Sequence, residues 1–433
     1  MPRACQPPPG EEGYAVVVSL YPPFDRYGGG GERFTAGAAA ALGEHLPVRL
    51  FCVLSAPHEY PRDTMPAGLA WQERELRGHM VGSIGARPAA SSEHSARVVG
   101  TRDLAVAFND PSCRLLVVSQ PYANDVALHL LASLVNDVPV LFCGHGDDRR
   151  KACYDAVVSW LPARVVCLDQ SETAAAETRR AFYRPSVRVV PGGFDDSTEL
   201  AAVDAGVLES RAAHRRIVYL GRLLPHKGVD HLLRAARRLP ASWSVDLCYR
   251  EVDPAYENHL RSLAGKVAAE VSFRRDLPDV AVQRILKGAT LAVCPSTHLT
   301  HSGYLPGQVE LLGLVILEMV AAGVPVLASD VPAYAETMER LALAEWVFAD
   351  GDDQALAALV EDVTGEMSAR PAAVAKRLQH AQGQLSCFGL RQWALGALAA
   401  AGVDCVAKDD PAHEARGNGA RRGSAPAVAE ATR

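Results

Sequence analysis

The sequence predicts an α/β protein made of two doubly wound, Rossmann-like domains, and three features of the chain support this. Its 433 residues exceed the roughly 250–300 at which a single hydrophobic core stops growing. Short β-branched apolar runs alternate with Ala-rich stretches in two successive series, which is typical of parallel sheets covered by helices. A polar, Ala-rich connector, residues 196–214, separates the two series.

The first series predicts an N-terminal domain over residues 13–195, preceded by a disordered segment, residues 1–12. It opens with a strand at residues 14–20, a glycine-rich loop and a helix at residues 32–43, which is the start of a βαβ unit. Residues 62–97 are less regular and are expected to hold loops or an inserted hairpin. Further strands are predicted at residues 48–54, 115–119, 138–143, 164–168 and 187–190.

The second series predicts a C-terminal domain over residues 214–388. A last helix, residues 390–402, is expected to pack back on the first domain, and residues 408–433 form a polar tail predicted to be disordered. Two facing sheets of this kind leave a cleft at the carboxyl ends of their strands, where α/β proteins bind ligands. Strands are predicted at residues 216–221, 244–248, 271–273, 291–294 and 325–328, and helices at 228–239, 280–288, 314–322 and 331–339.

Composition narrows the class of partner and the cellular location. A formal net charge of -6 opposes a nucleic-acid partner, which usually leaves a basic surface. The ten cysteines form no CxxC pair, so zinc ribbons and thioredoxin-like motifs are not expected. The longest apolar stretch is interrupted by Glu318 and Pro325, and the N-terminus has no apolar core of a leader peptide. We therefore expect no membrane span and a reducing, cytoplasmic location.

The strongest motif is the segment ELLGLVILE, which runs from Glu310 to Glu318. Gly313 allows a tight turn into a helix, and the first amides of that helix, at Leu314 and Val315, have no partner within it. Such amides suit a phosphate or sugar oxygen. Glu318 lies one turn further and can accept two vicinal hydroxyls, as a ribose presents them, while Glu310 can reach another polyol. The alternative is a buried amphipathic helix with Glu318 at its solvent edge.

A second motif, GRLLPHKG, follows the first strand of the C-terminal domain. Arg222 as a planar fork and Lys227 as a point charge would form a clamp for a diphosphate. The clamp would offset the charge that builds up on a leaving nucleoside diphosphate. The alternative is a turn with two solvated cations.

Together the two motifs make the chain resemble the retaining GT-B glycosyltransferases of family 4, the glycogen-synthase-like group. That family carries a GR…KG element and a pair of glutamates separated by seven residues, typically EGFGLxxLE. The segments VAAGVPV (320–326), CPS (294–296) and PGGFD (191–195) also match its pattern. The resemblance extends to about residue 401 and implies a GT-B fold with a deep cleft between two Rossmann-like domains.

The resemblance also implies roles for individual residues. Arg222 and Lys227 would bind the donor pyrophosphate, Glu318 the ribose, and Glu310 the transferred sugar. The catalytic set is then Glu310, His145, Arg222 and Lys227, and the donor-binding set is Gly28, Gly29, Gly30, Arg222, Lys227, Arg275, Leu312, Gly313, Leu314, Val315 and Glu318. Asp147 and Asp148 are expected to bind the acceptor, or else to cap a helix.

Several positions depart from the family pattern. The glycines usual after the second strand of the C-terminal domain are replaced by Tyr249-Arg250-Glu251, and a Phe-x-Gly element reads Phe273-Arg274-Arg275. Both changes leave the identity of the nucleotide base undetermined. Leu311 and Leu312 replace the usual Gly and Phe, which suggests an unusual sugar pocket. Three side chains before Glu310 are expected to line that pocket, namely His298, His301 and Tyr304.

No metal and no cofactor is predicted. The DxD motif of metal-dependent transferases has one match, Asp350-Gly351-Asp352, which lies just before a predicted helix. Capping of that helix is the better interpretation of these carboxylates. Arg222, Lys227 and the helix amides would replace a metal ion.

The motifs and the family resemblance together predict a glycosyltransferase that moves a sugar from a nucleotide-sugar donor, with UDP or GDP, to a hydroxyl or thiol of a small soluble acceptor. The resemblance implies retention of configuration. A role in antibiotic or other natural-product biosynthesis is suggested by the Ala-, Arg- and Gly-rich composition. The oligomeric state stays open, and a homodimer is allowed. The alternatives are a phosphorylase, a nucleotide-sugar epimerase, or a non-catalytic sugar-nucleotide-binding module.

Overall fold

A computed structural model describes residues 13–19, 30–54, 81–82, 106–119, 134–144, 165–181, 186–305 and 309–403. Its N-terminal domain contains β1 (Tyr14–Ser19), α1 (Gly30–Gly43), β2 (Val48–Leu54), β3 (Val81–Gly82), β4 (Cys113–Ser119), β5 (Val140–Cys143), β6 (Val165–Asp169), α2 (Glu172–Ala181) and β7 (Ser186–Val189). The strands form one parallel sheet in the order β3-β2-β1-β4-β5-β6-β7.

Alternate residues of β1 explain why this run is apolar throughout. Tyr14, Val16 and Val18 belong to a core on one face of the sheet. Ala15 and Val17 belong to a second core on the other face, which α1 covers. A strand buried on both faces reads as a continuous apolar run rather than as an alternation.

The C-terminal domain repeats the architecture with a six-stranded parallel sheet in the order β10-β9-β8-β11-β12-β13. Its strand order reverses between β8 and β11, and open α/β sheets bind ligands beside such a reversal. Its elements are α3 (Ala205–His214), β8 (Arg216–Leu220), α4 (Val229–Ala236), β9 (Ser244–Tyr249), α5 (Pro254–Ala264), β10 (Glu270–Arg275), α6 (Asp279–Lys287), β11 (Leu291–Cys294), α7 (Leu314–Ala321), β12 (Val326–Ser329), α8 (Pro332–Arg340), β13 (Val347–Phe348), α9 (Asp353–Ala369) and α10 (Pro371–Gln384).

The chain crosses between the two domains twice, and the two crossings touch. Phe194 N donates to Phe388 O at 3.1 Å, and Leu390 N donates to Phe194 O at 3.1 Å. The last helix, α11 (Leu390–Ala401), then packs against α1 in the core of the N-terminal domain. There the Trp393 ring meets the edge of Phe34 with centroids 5.0 Å apart.

A second contact joins the domains near the cleft. Both carboxylate oxygens of Glu336, on α8, accept from the amide of Glu172 at 3.1 and 2.9 Å. That amide is the first of α2, where the positive end of the helix dipole favours an anion. The two domains are therefore joined by side chains as well as by the chain crossings.

The predicted fold class is confirmed, and the differences concern single elements. The segment predicted as a connector, residues 196–214, contains α3, which Asp204 caps by accepting from Val207 N at 2.8 Å. The helices α5 and α10 were not predicted. In the irregular stretch of residues 62–97 only β3 is described, and it pairs in parallel with β2. The segments predicted to be disordered, 1–12 and 408–433, lie outside the described residues.

Candidate donor site in the interdomain cleft

A cleft of about 2240 Å³ lies between the two domains, at the carboxyl ends of β8 and β11. Its volume exceeds the roughly 300–1,000 Å³ that one small ligand fills. Residues of both domains line it: α1 contributes Gly31, Arg33 and Phe34, and the C-terminal domain contributes both predicted motifs. The cleft is therefore larger than one small ligand requires.

The turn after β8 directs Lys227 into this cleft. Pro225–Lys227 forms a short 3₁₀ helix that ends at Gly228, whose φ is 62°. A Cβ at Gly228 would lie 1.9 Å from the carbonyl oxygen of Pro295. Only glycine fits there, because it tolerates both this φ and the close backbone approach.

Lys227 and Glu310 form a buried ion pair. Lys227 Nζ lies 2.5 Å from Glu310 Oε1, and the side chains are 16% and 10% exposed. The hydroxyl of Ser296 donates to the same oxygen at 2.5 Å. Burial by itself would raise the pKa of Glu310, but the charge of Lys227 and these two hydrogen bonds outweigh it and hold the pKa below its ordinary value.

Two tyrosines and a histidine surround this pair. Tyr219 donates its hydroxyl to Arg222 O at 2.6 Å, and the Tyr334 hydroxyl lies 3.2 Å from Ser296 Oγ. Burial and the negative charge of Glu310 raise the pKa of both phenols well above the usual value. Burial and the charge of Lys227 lower the pKa of His226 to about 4. At neutral pH the tyrosines and His226 are therefore uncharged.

The N-terminus of α7 opens onto the same space. Gly313 has a φ of 90°, and a Cβ there would lie 2.7 Å from the Tyr334 ring. The carbonyl of Leu312 accepts from the Thr337 hydroxyl at 2.5 Å, which fixes the turn. Leu312, Gly313, Leu314 and Val315 all line the cleft. A helix start of this kind offers backbone amides to an anion.

The other charged residues of the two motifs are also paired. Glu318 Oε1 lies 3.1 Å from Arg33 Nη1 on α1 of the opposite domain. Arg222 Nη1 lies 3.5 Å from Glu251 Oε2. Each cation of the predicted diphosphate clamp thus faces a carboxylate.

The structure brings most of the predicted site residues together, with specific exceptions. His145, Asp147, Asp148, Gly28 and Gly29 lie outside the described residues, and Gly30 begins α1. Arg275 does not line the cleft. Its Nε faces Asp276 Oδ2 at 3.3 Å, at a point where Asp276 has a φ of 54° and the chain turns away.

The expectation that three side chains of the 296–309 loop line the sugar pocket is wrong. His298 Nδ1 lies 3.1 Å from Asp350 Oδ2. His301 stacks on His259 with ring centroids 4.5 Å apart, and Tyr304 is exposed. His301 thus packs on α5, where its ring finds a stacking partner, and none of the three side chains lines the cleft.

The DxD match has a structural role. Asp352 accepts from the amides of Gln354 and Ala355 at 3.0 and 2.8 Å, so it caps α9 as predicted. Asp350 accepts from the amide of His298 at 2.8 Å. Within the described ranges, no group of three or more His, Cys, Asp or Glu side chains could hold a metal ion. No helix in this part of the chain is long and apolar enough to cross a membrane.

Four contributors to the site were missed from the sequence. Arg33, Ser296, Tyr219 and Tyr334 line the cleft beside the predicted residues. Ser296 follows β11 directly, so its position at the carboxyl end of a central strand was a usable signal. Tyr219 lies near the end of β8, three residues before Arg222, so local geometry places it. Arg33 and Tyr334 come from α1 and α8, and only the packing of those helices brings them to Glu318 and Ser296.

Comparisons with known proteins define the class. Residues 206–375 match the family described as glycosyl transferases group 1. The chain is 27% identical over 411 residues to alpha-maltose-1-phosphate synthase of Mycobacterium tuberculosis, covering 88% of this chain and 95% of that one. The C-terminal domain thus matches the group 1 glycosyltransferases, and the enzyme class expected from the motifs, a glycosyltransferase, is confirmed.

Solved structures give the fold. HepE from Anabaena, in complex with UDP and glucose, superposes with a TM-score of 0.63 at 14% identity, covering 89% of this chain and 98% of that one. Sucrose-phosphate synthase from Thermosynechococcus elongatus gives a TM-score of 0.64 at 18% identity, with 89% and 97% covered. The architecture is therefore GT-B, as the resemblance implied.

Proposed function

We propose that this protein is a retaining glycosyltransferase that moves a sugar from a UDP- or GDP-sugar to a hydroxyl or thiol of a small acceptor. One observation carries the proposal. The Lys227–Glu310 pair and the start of α7 meet in one cleft with Arg222 and Glu318. Cations, helix amides and two carboxylates are the groups that a diphosphate, a ribose and a sugar need.

The positions of these groups define the proposed orientation of the nucleotide-sugar in the cleft. The diphosphate lies between the α7 N-terminus and the cations Arg222 and Lys227. Glu318, one turn into α7, accepts the ribose hydroxyls. Glu310 accepts hydroxyls of the transferred sugar, and its depressed pKa keeps it ionised for that purpose. The structure of HepE, which shares the fold, is a complex with UDP and glucose.

Catalysis then relies on position and electrostatics. Lys227 and the α7 amides stabilise the charge that forms on the leaving diphosphate. The acceptor attacks from the side on which the diphosphate leaves, and a phosphate oxygen takes its proton, so the configuration is retained. His226 is neutral and His145 is expected beside the sugar. Neither a metal nor a resident cofactor is required by this scheme.

The acceptor is proposed from chemistry and from the relatives' names. The cleft has room for an acceptor beside the donor. Two relatives are named for phosphorylated sugars, alpha-maltose-1-phosphate and sucrose phosphate. A sugar phosphate is therefore the first acceptor to test, followed by the alcohol and thiol acceptors of natural-product pathways. The described cysteines include six free thiols, which suits a reducing cytoplasm.

Thermal unfolding with UDP, GDP and ADP tests the donor site. A nucleotide at 100 times its Kd stabilises the protein by about 2.7 kcal/mol. Glu318→Ala should weaken the binding nucleotide about tenfold or more, because it removes charged hydrogen bonds to the ribose. The matched control is Glu339→Ala, since Glu339 is exposed on α8 and outside the cleft. Absence of binding by every nucleotide would overturn the proposal.

Glu310→Gln tests the sugar-holding role separately. The amide keeps the size of the side chain, so nucleotide binding should stay within a few-fold of wild type. Transfer should fall about 10²-fold or more, because a misplaced sugar loses its reactive geometry. Equal loss of binding and transfer would contradict this role. The anomeric configuration of the product, read by NMR, decides between retention and inversion.

A further inference from the structure

Arg33 reaches across the cleft from the first turn of α1. Its guanidinium lies 3.1 Å from Glu318, with the two side chains 65% and 33% exposed. Gly193 lies between the next residue, Phe34, and the start of α7, because a Cβ at Gly193 would come within 2.7 Å of Leu314 Cδ2 and 3.4 Å of Phe34 Cδ2. This packing holds the first turn of α1 opposite the N-terminus of α7.

The salt bridge with Arg33 occupies Glu318, which is the carboxylate proposed to bind the donor ribose. A salt bridge this exposed is weak, so ribose hydroxyls can displace Arg33 at a cost of about two- to fivefold in affinity. The displaced guanidinium has a new partner nearby. The α7 N-terminus is about one helical turn from Glu318, or roughly 5.4 Å, and the arginine stem can cover that distance by changing rotamer.

The charged side chains of the proposed diphosphate site also favour a movement of Arg33 toward the N-terminus of α7. Arg222 faces Glu251 and Lys227 faces Glu310, so each cation of the clamp is already matched by a carboxylate. Among the described residues of the N-terminal domain, Arg33 is the one cation that lines the cleft. A diphosphate bound at α7 would attract it, because guanidinium groups bind phosphate oxygens as a two-pronged fork.

We propose that Arg33 is a donor-positioning residue that holds Glu318 before a donor binds and contacts the diphosphate once the ribose has taken Glu318. The inference rests on the proposed function. It assigns to α1 a direct part in recognising a nucleoside diphosphate. Because Arg33 and Glu318 belong to different domains, the exchange keeps an ionic contact across the cleft while the donor enters.

The experiment compares a nucleoside diphosphate with its own nucleoside. The Kd values of UDP and uridine, GDP and guanosine, and ADP and adenosine are measured by calorimetry for wild type and Arg33→Ala. In the variant the nucleoside should bind about two- to fivefold more tightly, because Glu318 is free. The diphosphate should bind about tenfold or more weakly, because a charged contact is lost. The ratio of the two Kd values is therefore the decisive quantity.

Two further variants complete the test. Arg33→Lys should keep part of the preference for the diphosphate, since it keeps the charge. Arg391→Ala should change neither Kd, although Arg391 forms a similar pair with Glu44, at 3.1 Å with 67% exposure, away from the cleft. Equal shifts of both Kd values in Arg33→Ala, or none, would overturn the inference.

The outcome also separates the two proposals. If wild type binds no nucleotide, the proposed function fails. If wild type binds a nucleotide that Glu318→Ala no longer binds, while Arg33→Ala leaves the ratio unchanged, only the role of Arg33 fails.

Discussion

Lys227→Met should destabilise the protein strongly, because it leaves the Glu310 carboxylate buried without its cation. Glu310 is only 10% exposed, and removal of one partner from a buried pair costs about 3–5 kcal/mol. For domains of 150–250 residues this corresponds to a fall in Tm of about 6–20 °C. Calorimetry of the unliganded protein at pH 8 measures it. Lys266→Met, at an exposed lysine of the same domain, is the control.

The pH dependence of this loss follows from the pKa of Glu310. In wild type that pKa is depressed, so the stability it contributes is present above the ordinary carboxyl pKa of about 4.3 and is lost as the pH falls through the folded value. Without Lys227, burial dominates and raises the pKa. The penalty is then full at high pH and shrinks on acidification. The difference in Tm between wild type and variant should therefore narrow from pH 8 to pH 5.

A second substitution shows whether the buried charge is the cause. Glu310→Gln in the Lys227→Met background removes the unpaired carboxylate and should recover most of the lost Tm. A loss of less than about 1 kcal/mol in the single variant, with no dependence on pH and no recovery in the double variant, would refute the reasoning.

Three further substitutions test the structural framework. Gly228→Ala should destabilise the protein by more than about 3 kcal/mol in chemical denaturation, because its Cβ would lie 1.9 Å from Pro295 O at a strained φ. Near-normal stability of this variant would contradict the described conformation of the turn. Asp352→Ala should cost about 1 kcal/mol by removing a helix cap, with nucleotide binding unchanged in calorimetry; altered binding would instead indicate a role in the site. Trp393→Ala should cost about 3–5 kcal/mol, because its fully buried ring packs on Phe34; a Tm within a degree of wild type would be inconsistent with α11 as part of the N-terminal core.

The accuracy of the strand predictions has a physical cause. A strand buried on both faces must be apolar at every position, and β1, β5, β11 and β12 are of this kind. Such runs stand out between Ala-rich helices. The missed helices, α3, α5 and α10, contain no such continuous run. Two of them nevertheless begin with a recognisable N-cap: Asp204 precedes α3, and Asp253 precedes Pro254 at the start of α5.

In the site, too, the features set by local sequence could be predicted and the contacts between distant elements could not. Glu310, Gly313 and Glu318 lie within nine consecutive residues, so the turn, the helix start and the one-turn spacing are set by local geometry alone. The partner of each charged residue could not be predicted in this way. Arg33 meets Glu318 from the other domain, and Glu251 meets Arg222 from the end of a neighbouring strand.

Local features were enough to predict two doubly wound domains, the turn after β8 and the helix start at Gly313, because apolar periodicity, glycine stereochemistry and short spacing act along the chain. Three features became visible only in the folded molecule: which carboxylate faces which cation, that His301 stacks on α5, and that Arg275 lies off the cleft. These outcomes depend on packing between elements that are distant in the chain, and a side chain takes whichever partner that packing brings within reach.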